Sequence, residues 1–485
     1  MRLKSALVCL LAYTAALGAV SAAAQTVIPA TSPGNNGAGP NGIAVTPTEL
    51  LFTQPYAVGF QSRGIYTENL AAGTASLLYS IPETGLPAEN YLAISPGLGG
   101  FTAGDTFVTG VSTTNNAFDE VFKNGSTPFI NPIPNSQNHA GITFDSVGTF
   151  GYDLIVTPAG SVSGYDSTGT LKFTYPASAN YGLEGATMAP LTYGPCPGCL
   201  FVTAALTSNI GNPNPVGNGA IYYVLPGTPS GSAMTLWSMT PGLVEPEGLV
   251  FVGNNLSCSL VGPNGTAFSY FVSGYATGNQ KESTSTNGAI LAYTPAQLAS
   301  YKGQILAPDE QGNIFAFSAP GVSTLFSSTA YQLEGSTILQ CQSTGCPATF
   351  GYWKHHPFPS SMFVGGVTSI GCMNYSAATL VDILNTSNAG GNAVTVLGHQ
   401  LIAAIANYDA GGVQTPAATA AIASAITLLC ANSIDMTSSF VQSGTTLGQQ
   451  MTALANTLDN YNSSAPNCEG TGLSAVSERK RQKKS

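Results

Sequence analysis

A short repeated unit in the first part of the chain constrains the fold more than any other feature of the sequence. Each copy sets a glycine after a polar or small residue and continues into alternating apolar residues, a pattern that predicts the start of a β-strand. The clearest copies begin at Pro40, Ala140, Leu183, Pro246 and Leu333, with a looser copy at Ala88. Several neighbouring copies lie about 40–50 residues apart, close to the length of one four-stranded propeller blade. This spacing favours a β-propeller over a large β-sandwich or a β-helix.

We therefore expect a mainly β chain, with a β-propeller of about six blades followed by a small disulfide-linked α-helical bundle. The hydrophobic content of 44% is sufficient for a core, and the abundant glycine and proline suit short strands and many turns. The expected division is a signal peptide at 1–24, a polar lead-in at 25–40, the propeller at 41–340, a linker at 341–348, the helical module at 349–468 and a disordered basic tail at 469–485.

The innermost strand of each blade lines the central channel, so equivalent positions of the repeats form a ring. Aligning the glycines places the following residues in that ring: Asn41, Glu89, Ala140, Glu184, Glu247 and Glu334. Converging carboxylates must share a cation, become protonated or turn outward. One hypothesis makes the four glutamates ligands of a metal, and calcium suits such hard oxygen donors. The alternative is that each glutamate only accepts hydrogen bonds from a neighbouring blade.

The strand starts of the form x-Gly-Ile/Leu-Ala/Val, with Asp-x-x-Gly turns at Asp166 and Asp309, resemble those of NHL-repeat and gluconolactonase-like propellers over about residues 40–340. The resemblance implies a six-bladed fold. Gluconolactonase-like enzymes carry a Glu, Asn and Asp metal set that this sequence does not complete. Asn41 is expected to line the channel, and His139 lies near it in the same alignment. A lactonase-type hydrolase therefore stays open as an alternative function.

The N-terminus has the order of a secretory signal. A short basic segment, Met1–Lys4, precedes an apolar run from Ala6 to Val20 and small residues before Gln25. We expect a protein that is secreted, periplasmic or at the cell surface. No other stretch approaches the roughly 20 apolar residues of a membrane-spanning helix, so no membrane span is expected.

Charge narrows the range of partners. The formal net charge is −10, and the basic residues cluster in the last stretch, from Arg479 to Lys484. Nucleic acid is not expected to bind because an acidic body repels a polyanion. The expected partner is a protein, a glycan or a small molecule.

Eight cysteines remain after signal removal, and disulfides are the default for an exported chain. Sequence alone leaves 105 complete pairings. Among these we choose pairs that keep partners within one proposed domain: Cys196 with Cys199, Cys258 with Cys341, Cys346 with Cys468, and Cys372 with Cys430. The Cys196-Pro-Gly-Cys199 segment lies between two predicted strands, which favours a disulfide at a hairpin tip over a redox motif.

The C-terminal region changes to Ala-rich helical patterns. Apolar residues three and four positions apart mark three helix faces: Val394, Leu397, Leu401 and Ile405; Ile422, Ile426 and Leu429; and Leu447, Met451, Leu454, Leu458 and Tyr461. Such faces bury one another in a bundle.

The opening of this region, Gly351–Pro357, resembles a module at the C-terminal side of bacterial exported proteins that begins Gly-Tyr-Trp-Lys-Asn-His-Pro. The segments His399–Ala404 and Leu458–Asn462 match its His-Gln-Leu-Ile-Ala-Ala helix and its Leu-Asp-x-Tyr-Asn ending, whereas His355 replaces the usual Asn. The resemblance covers about residues 346–468. It implies export and a bacterial source but no activity.

The histidines are the remaining candidates for chemistry. His355, His356 and His399, with Cys372 or Asp459, could be drawn as a zinc site, although their spacing fits no known finger. Packing of the histidines with Trp353 beneath the bundle is the favoured interpretation. No Gly-x-Ser-x-Gly nucleophile elbow in a strand-to-helix context and no phosphate-binding loop is present.

Three functions remain open at this point. The first is a non-catalytic exported binding or surface-interaction protein whose helical module serves attachment or assembly. The second is a metal-dependent propeller hydrolase that uses the channel carboxylates. The third is a structural matrix component. Folds of this kind serve both binding and catalysis, and the sequence favours a protein that is not an enzyme.

Overall fold

The structure is a computed structural model. It describes residues 25–29, 40–54, 63–82, 90–111, 119–125, 127–130, 133, 140–158, 160–177, 181–191, 193, 196–206, 218–253, 256, 258–276, 288–339, 347–359, 362–363, 366–388, 390–410, 412 and 415–464. The following expectations lie outside these ranges: the signal peptide, the basic tail, most of the linker, Glu89, His139, Cys341, Cys346 and Cys468. Among the described helices, none has the length and apolarity needed to cross a membrane.

The strands are short and follow one another along most of the chain. In chain order they are β1 (Thr26–Pro29), β2 (Ile43–Val45), β3 (Leu50–Gln54), β4 (Gly64–Asn69), β5 (Thr74–Ser80), β6 (Leu92–Ile94), β7 (Thr106–Val111), β8 (Asp119–Lys123), β9 (Thr127–Ile130), β10 (Ala140–Phe144), β11 (Leu154–Pro158), β12 (Ser161–Tyr165), β13 (Leu171–Pro176), β14 (Tyr181–Met188), β15 (Leu200–Leu206), β16 (Asn218–Val224), β17 (Thr235–Pro241), β18 (Val250–Phe251), β19 (Leu260–Val261), β20 (Ala267–Phe268), β21 (Tyr270–Ala276), β22 (Gly288–Tyr293), β23 (Ile305–Pro308), β24 (Asn313–Ala319), β25 (Val322–Ser328), β26 (Tyr331–Ile338), β27 (Val367–Ile370) and β28 (Met373–Ser376).

Six four-stranded antiparallel sheets form the blades of a β-propeller, which confirms the predicted fold class. Blade 1 is β2–β5, blade 2 is β6–β9, blade 3 is β10–β13 and blade 4 is β14–β17. In these four blades the spatial order of the strands is their chain order. The innermost strands contact one another around the ring in the order β2, β6, β10, β14, β18, β26 and back to β2.

Blades 5 and 6 are interleaved in the chain. Blade 5 has the order β18-β23-β24-β25, and blade 6 has the order β26-β21-β22-β1 from the innermost strand outward. The chain therefore leaves blade 5 after one strand, builds two strands of blade 6, returns to finish blade 5, and only then adds the innermost strand of blade 6. This order explains the long interval between the repeats that begin at Pro246 and Leu333.

The ring is closed by its N-terminal strand. Thr26–Pro29 belongs by sequence to the polar lead-in, but in the structure it pairs with β22 as the outermost strand of blade 6. Ile28 is fully buried there, in a core that blades 1 and 6 share. Pairing the first strand with the last blade joins the two ends of the propeller, because its hydrogen bonds must break before the ring can open.

The predicted helical module is present. Its helices are α2 (Phe350–Trp353), α3 (Ala377–Asn385), α4 (Ala393–Asp409), α5 (Pro416–Ala431) and α6 (Thr446–Asn462), and a single-turn α1 (Pro295–Leu298) lies within the propeller. The side chains of Ser376, Asn392, Thr415 and Thr445 cap the N-termini of α3 to α6 by accepting backbone N–H groups. The strands β27 and β28 form a hairpin beside these helices.

The module is packed on the propeller. Buried apolar residues of blades 3 and 4, among them Tyr175 and Tyr222, belong to one continuous core with residues of α4, α5 and α6, among them Leu401, Ile422 and Leu458. A shared core of this kind resists separation because it would expose apolar surface to water.

A buried polar network joins the opening of the module to its last helix. The Asn407 Oδ1 accepts from the Ala348 N at 2.8 Å and from the Trp353 Nε1 at 2.9 Å. The Asn407 Nδ2 donates to the Asn462 Oδ1 at 2.9 Å, and the Asn462 Nδ2 donates to the Gln400 Oε1 at 2.9 Å. The segments singled out by sequence therefore meet in one place and have a structural role.

Candidate functional site

The residue directly before the repeat glycine occupies the ring position of its blade, and the glycine itself contacts the adjacent blade. A Cβ atom on Gly185 would lie 2.5 Å from the Glu247 O, and one on Gly335 would lie 2.7 Å from the Asn41 O. Only glycine permits the innermost strands of adjacent blades to approach so closely. The structure therefore places Asn41, Ala140, Glu184, Glu247 and Glu334 at equivalent positions of successive blades.

Blade 2 departs from this pattern. A Cβ on Gly42 would meet the backbone of Asn90 and Tyr91, and the Gly42 N donates to the Asn90 O at 2.9 Å. Asn90 therefore occupies the ring position of blade 2, and Tyr91 replaces the glycine. Glu89, the residue aligned there by sequence, lies outside the described ranges, as does His139.

The Tyr91 side chain spans the ring. Its hydroxyl donates to the Glu247 Oε2, although the two residues belong to blades 2 and 5, which face each other across a six-membered ring. On the neighbouring side the Asn41 Nδ2 donates to the Glu334 Oε2 at 3.4 Å. Tyr91 is 5% exposed and Glu247 is 3% exposed, so this hydrogen bond across the ring is buried.

The described ring carboxylates are buried, and those of Glu247 and Glu334 accept hydrogen bonds across the ring. Glu184 and Glu334 are 3% and 0% exposed. Within the described part of the chain, no three His, Cys, Asp or Glu side chains come together in a way that could hold a metal ion. The bonds of Glu247 and Glu334 are of the kind that the hydrogen-bonding interpretation expects, and the calcium interpretation stays a hypothesis.

A second repeat, not recognised from the sequence above, stabilises the ring through hydrogen bonds between adjacent blades. A Thr or Ser in the second strand of five blades is almost fully buried: Thr53, Thr109, Thr157, Thr203 and Ser273. The hydroxyls of Thr53, Thr157 and Ser273 each donate to the carbonyl of the ring residue in the next blade, at Asn90, Glu184 and Asn41. The signal is visible in the sequence as an aromatic or aliphatic pair followed by Thr or Ser, for example Phe201-Val202-Thr203.

Two histidines of the helical module, His356 and His399, stack on aromatic rings. His355 and His356 are exposed, so the expected packing of the histidines beneath the bundle is wrong for these two. His399 is stacked on Phe350 with ring centroids 5.2 Å apart, and its Nε2 is 2.9 Å from the Ile383 O. Burial lowers the pKa of His399. His356 is stacked on Tyr352 at 3.7 Å. Cys372 is in a disulfide, and among the described residues these histidines form no metal-binding cluster with Asp459 either.

Two of the predicted disulfides are present. Cys196 is bonded to Cys199 and Cys372 to Cys430. Cys258 is also disulfide-bonded. Its predicted partner Cys341 lies outside the described residues, as does the predicted pair of Cys346 with Cys468.

Both described disulfides line one cleft between the propeller and the helical module. The cleft has a volume of about 690 Å³. Its propeller wall includes Leu225, Ala319 and the Cys196–Cys199 loop, and its module wall includes Val367, Ile426, Thr427 and the Cys372–Cys430 disulfide. Leu225 is 51% exposed and Val367 is 39% exposed, so apolar surface remains open to solvent here.

The module wall is held in place by close backbone packing. Gly371, at the turn between β27 and β28, has a φ of +65°, and a Cβ on it would lie 2.9 Å from the Leu429 Cβ. The next residue, Cys372, is bonded to Cys430 of α5. A glycine turn and a disulfide thus fix the hairpin to the helix, which pre-forms this wall of the cleft.

Among the described residues that line the cleft, none has an ionisable side chain. Its polar groups are neutral: Ser318, Ser369, Asn374 and Thr427 together with backbone groups, and its four cysteines are oxidised. A largely apolar cavity at a domain interface, with a few neutral hydrogen-bonding groups, is suited to binding.

The fold and the cleft define a six-bladed β-propeller with a disulfide-bonded helical module docked on its side. No family model matches the chain, and no curated protein matches it.

Two solved structures illustrate the likeness to known folds. One is the extracellular domain of a protein described as a hybrid two-component system from B. thetaiotaomicron, with 10% identity and a TM-score of 0.27. The match covers 59% of this chain and spans 35% of the length of that one. The other is the calcium-binding protein regucalcin from Agrobacterium tumefaciens, with 11% identity and a TM-score of 0.24, over 66% of this chain and 83% of that one.

Proposed function

We propose that this chain is an exported, non-catalytic binding protein whose ligand site is the cleft between the propeller and the helical module. The ligand class that suits the cleft is a small, uncharged and mainly apolar molecule. The domain boundaries expected from sequence, 41–340 and 349–468, are part of the proposal, with β1 added to the propeller.

The observation that carries the proposal is the lining of the cleft. A volume of about 690 Å³ lies within the range of about 300–1,000 Å³ of ligand pockets. The exposed apolar side chains of Leu225 and Val367 would leave water when a ligand enters. The described lining residues are all uncharged, which favours an uncharged ligand, because a charge placed beside them would lose its hydration without gaining a partner.

Export is supported by the disulfides. Cys196–Cys199 and Cys372–Cys430 are the kind of bond that persists in oxidising compartments. The N-terminal signal pattern points the same way. In this proposal the helical module forms one wall of the ligand site, so it contributes to binding whether or not it also serves attachment.

The experiment is a titration of the purified mature chain with N-phenyl-1-naphthylamine, a neutral apolar fluorophore. We expect saturable fluorescence with one site per chain. Thr427→Phe and Ala319→Phe add bulk from opposite walls and should each weaken binding about tenfold or more. Thr457→Phe, the same change on α6 away from the cleft lining, is the matched control and should bind as the unmodified chain does.

Two results would contradict the proposal. Either the fluorophore shows no saturable binding, or the cleft-filling variants bind it as tightly as the control does. Circular dichroism melts of all three variants confirm that the comparison is made between folded proteins.

A further inference from the structure

A second cavity lies on the outer part of blade 3, apart from the proposed ligand cleft. Its volume is about 470 Å³. The loop between β10 and β11 supplies Phe150 and Asp153, the turn before β13 supplies Asp166, and β13 supplies Lys172 and Phe173.

The β10–β11 loop is wrapped around one buried carboxylate. The Asp145 Oδ1 accepts from the Val147 N at 3.1 Å and the Gly148 N at 2.8 Å. The Asp145 Oδ2 accepts from the Phe150 N at 2.7 Å and the Tyr152 N at 2.9 Å. The backbone therefore satisfies Asp145, and this fixes the shape of the loop that ends at the next aspartate.

Asp153, unlike Asp145, accepts no hydrogen bond from the loop. It is 6% exposed, and it lines the cavity. No hydrogen-bond donor and no ion-pair partner within 4 Å reaches its carboxylate among the described residues. Burial, reinforced by the neighbouring charge of Asp145, raises the pKa of Asp153 to about 6. The Asp153 carboxylate lines the cavity without a protein hydrogen bond among the described residues, and a ligand that brings a hydrogen-bonding cation would supply both a donor and a compensating charge.

The other charges near Asp153 leave the cavity negative. Asp166 and Asp145 are the neighbouring acids, and Lys172 is the neighbouring cation. The Lys172 Nζ is 3.8 Å from the Asp166 Oδ2, and the Lys172 side chain is 52% exposed. Such a half-exposed ion pair is weak, so Lys172 offsets only part of the negative charge of Asp153 and Asp166.

We propose that this cavity binds a small organic amine, whose ammonium group pairs with Asp153 and Asp166 while its apolar or aromatic part lies against Phe150 and Phe173. The two phenylalanines line the cavity with their ring centroids 5.5 Å apart. An ammonium group supplies the donors and the positive charge that Asp153 lacks. A neutral hydroxyl would supply a donor but no charge.

A bare metal ion fits less well. The described residues contain no cluster of three His, Cys, Asp or Glu side chains suited to a metal, whereas calcium takes about 6–8 oxygen ligands. The half-apolar lining also favours a ligand that has an organic part.

The experiment uses isothermal titration calorimetry of the full mature chain at low salt with two probes of the same shape. Tyramine carries an ammonium group, and tyrosol carries a hydroxyl at the same position on the same ring. We expect tyramine to bind and tyrosol to bind at least about tenfold more weakly. Asp153→Asn, which preserves the shape of the side chain, should weaken tyramine binding about tenfold or more. Asp382→Asn on α3 changes the net charge equally and should leave the affinity unchanged.

Lys172→Met gives a test in the opposite direction. Removing the competing cation should tighten tyramine binding several-fold, and this variant decides the matter if Asp153→Asn does not fold. Equal binding of tyramine and tyrosol, no binding of tyramine, or an affinity that neither substitution changes would overturn the proposal. The outcome is independent of the apolar cleft, since neither variant touches its lining.

Discussion

Glu68 makes the stability of the propeller depend on pH. It lies in β4 opposite Leu50 and Ala75, two buried members of the apolar cluster between blades 1 and 6. Both of its carboxylate oxygens are buried without a hydrogen-bond partner. Burial raises the pKa of Glu68 from its ordinary value of 4.5 to about 8. At neutral pH the folded chain therefore holds a proton that the unfolded chain has released.

The sign and size of the effect follow from this difference. Between pH 4.5 and about 8 the folded state binds more protons at Glu68 than the unfolded state does, so stability falls as the pH rises through this window. At 1.36 kcal/mol per pH unit the whole window corresponds to about 5 kcal/mol. Asp309 and Asp153 act in the same direction over narrower windows, because burial raises their pKa values to about 7 and about 6.

The assay is urea unfolding at pH 5 and pH 9 of the unmodified chain, Glu68→Gln and Glu49→Gln. Glutamine resembles the protonated acid and cannot ionise, so Glu68→Gln should be more stable than the unmodified chain by about 3–5 kcal/mol at pH 9 and nearly equal at pH 5. Glu49 is exposed, and its variant controls for the loss of one charge. The reasoning is refuted if Glu68→Gln loses as much stability between the two pH values as the unmodified chain does.

Further predictions concern the disulfides, the module network and the ring. Replacing Cys372 and Cys430 by Ser removes a disulfide between residues 58 positions apart and should lower the free energy of unfolding by about 4 kcal/mol through loop entropy. The measurement is urea unfolding followed by Trp353 fluorescence in a Trp237→Phe background. In the same assay Asn407→Ala should cost about 3 kcal/mol or more, because it leaves several buried partners without hydrogen bonds; a loss below 1 kcal/mol would contradict the network. Tyr91→Phe removes the hydroxyl that reaches Glu247 and should cost about 1–3 kcal/mol of global stability with no change in fold by circular dichroism.

The ring could be predicted from sequence because its cause is local. In five of the six blades a glycine, such as Gly185 or Gly335, approaches the backbone of the adjacent blade too closely for any other residue, and these glycines recur in the sequence. The register in blade 2 is different because Tyr91 takes the glycine position, and a pattern anchored on glycine has nothing to align there. The hydroxyl repeat exemplified by Thr203 would have fixed that register through Thr109, which accepts from the Tyr91 N at 2.9 Å.

The order of blades 5 and 6 could not be predicted in this way. Each strand is locally ordinary, and only non-local pairing decides that β21 joins β26 while β18 joins β23. The proposed ligand cleft was equally hidden, because its walls come from segments far apart in the chain, such as Leu225 and Ile426, that carry no recognisable motif. The buried faces of the helices could be predicted because apolar residues three and four positions apart lie on one side of a helix, and that side must pack against another apolar surface.

The claim that the propeller and the helical module together form a ligand site is tested most directly by crystals of the mature chain soaked in 2-bromonaphthalene, a neutral apolar probe. Anomalous diffraction should show one bromine peak per chain in the cleft between Leu225 and Ile426. Bromine peaks only at other places, or a cleft without a peak at saturating probe, would contradict the claim.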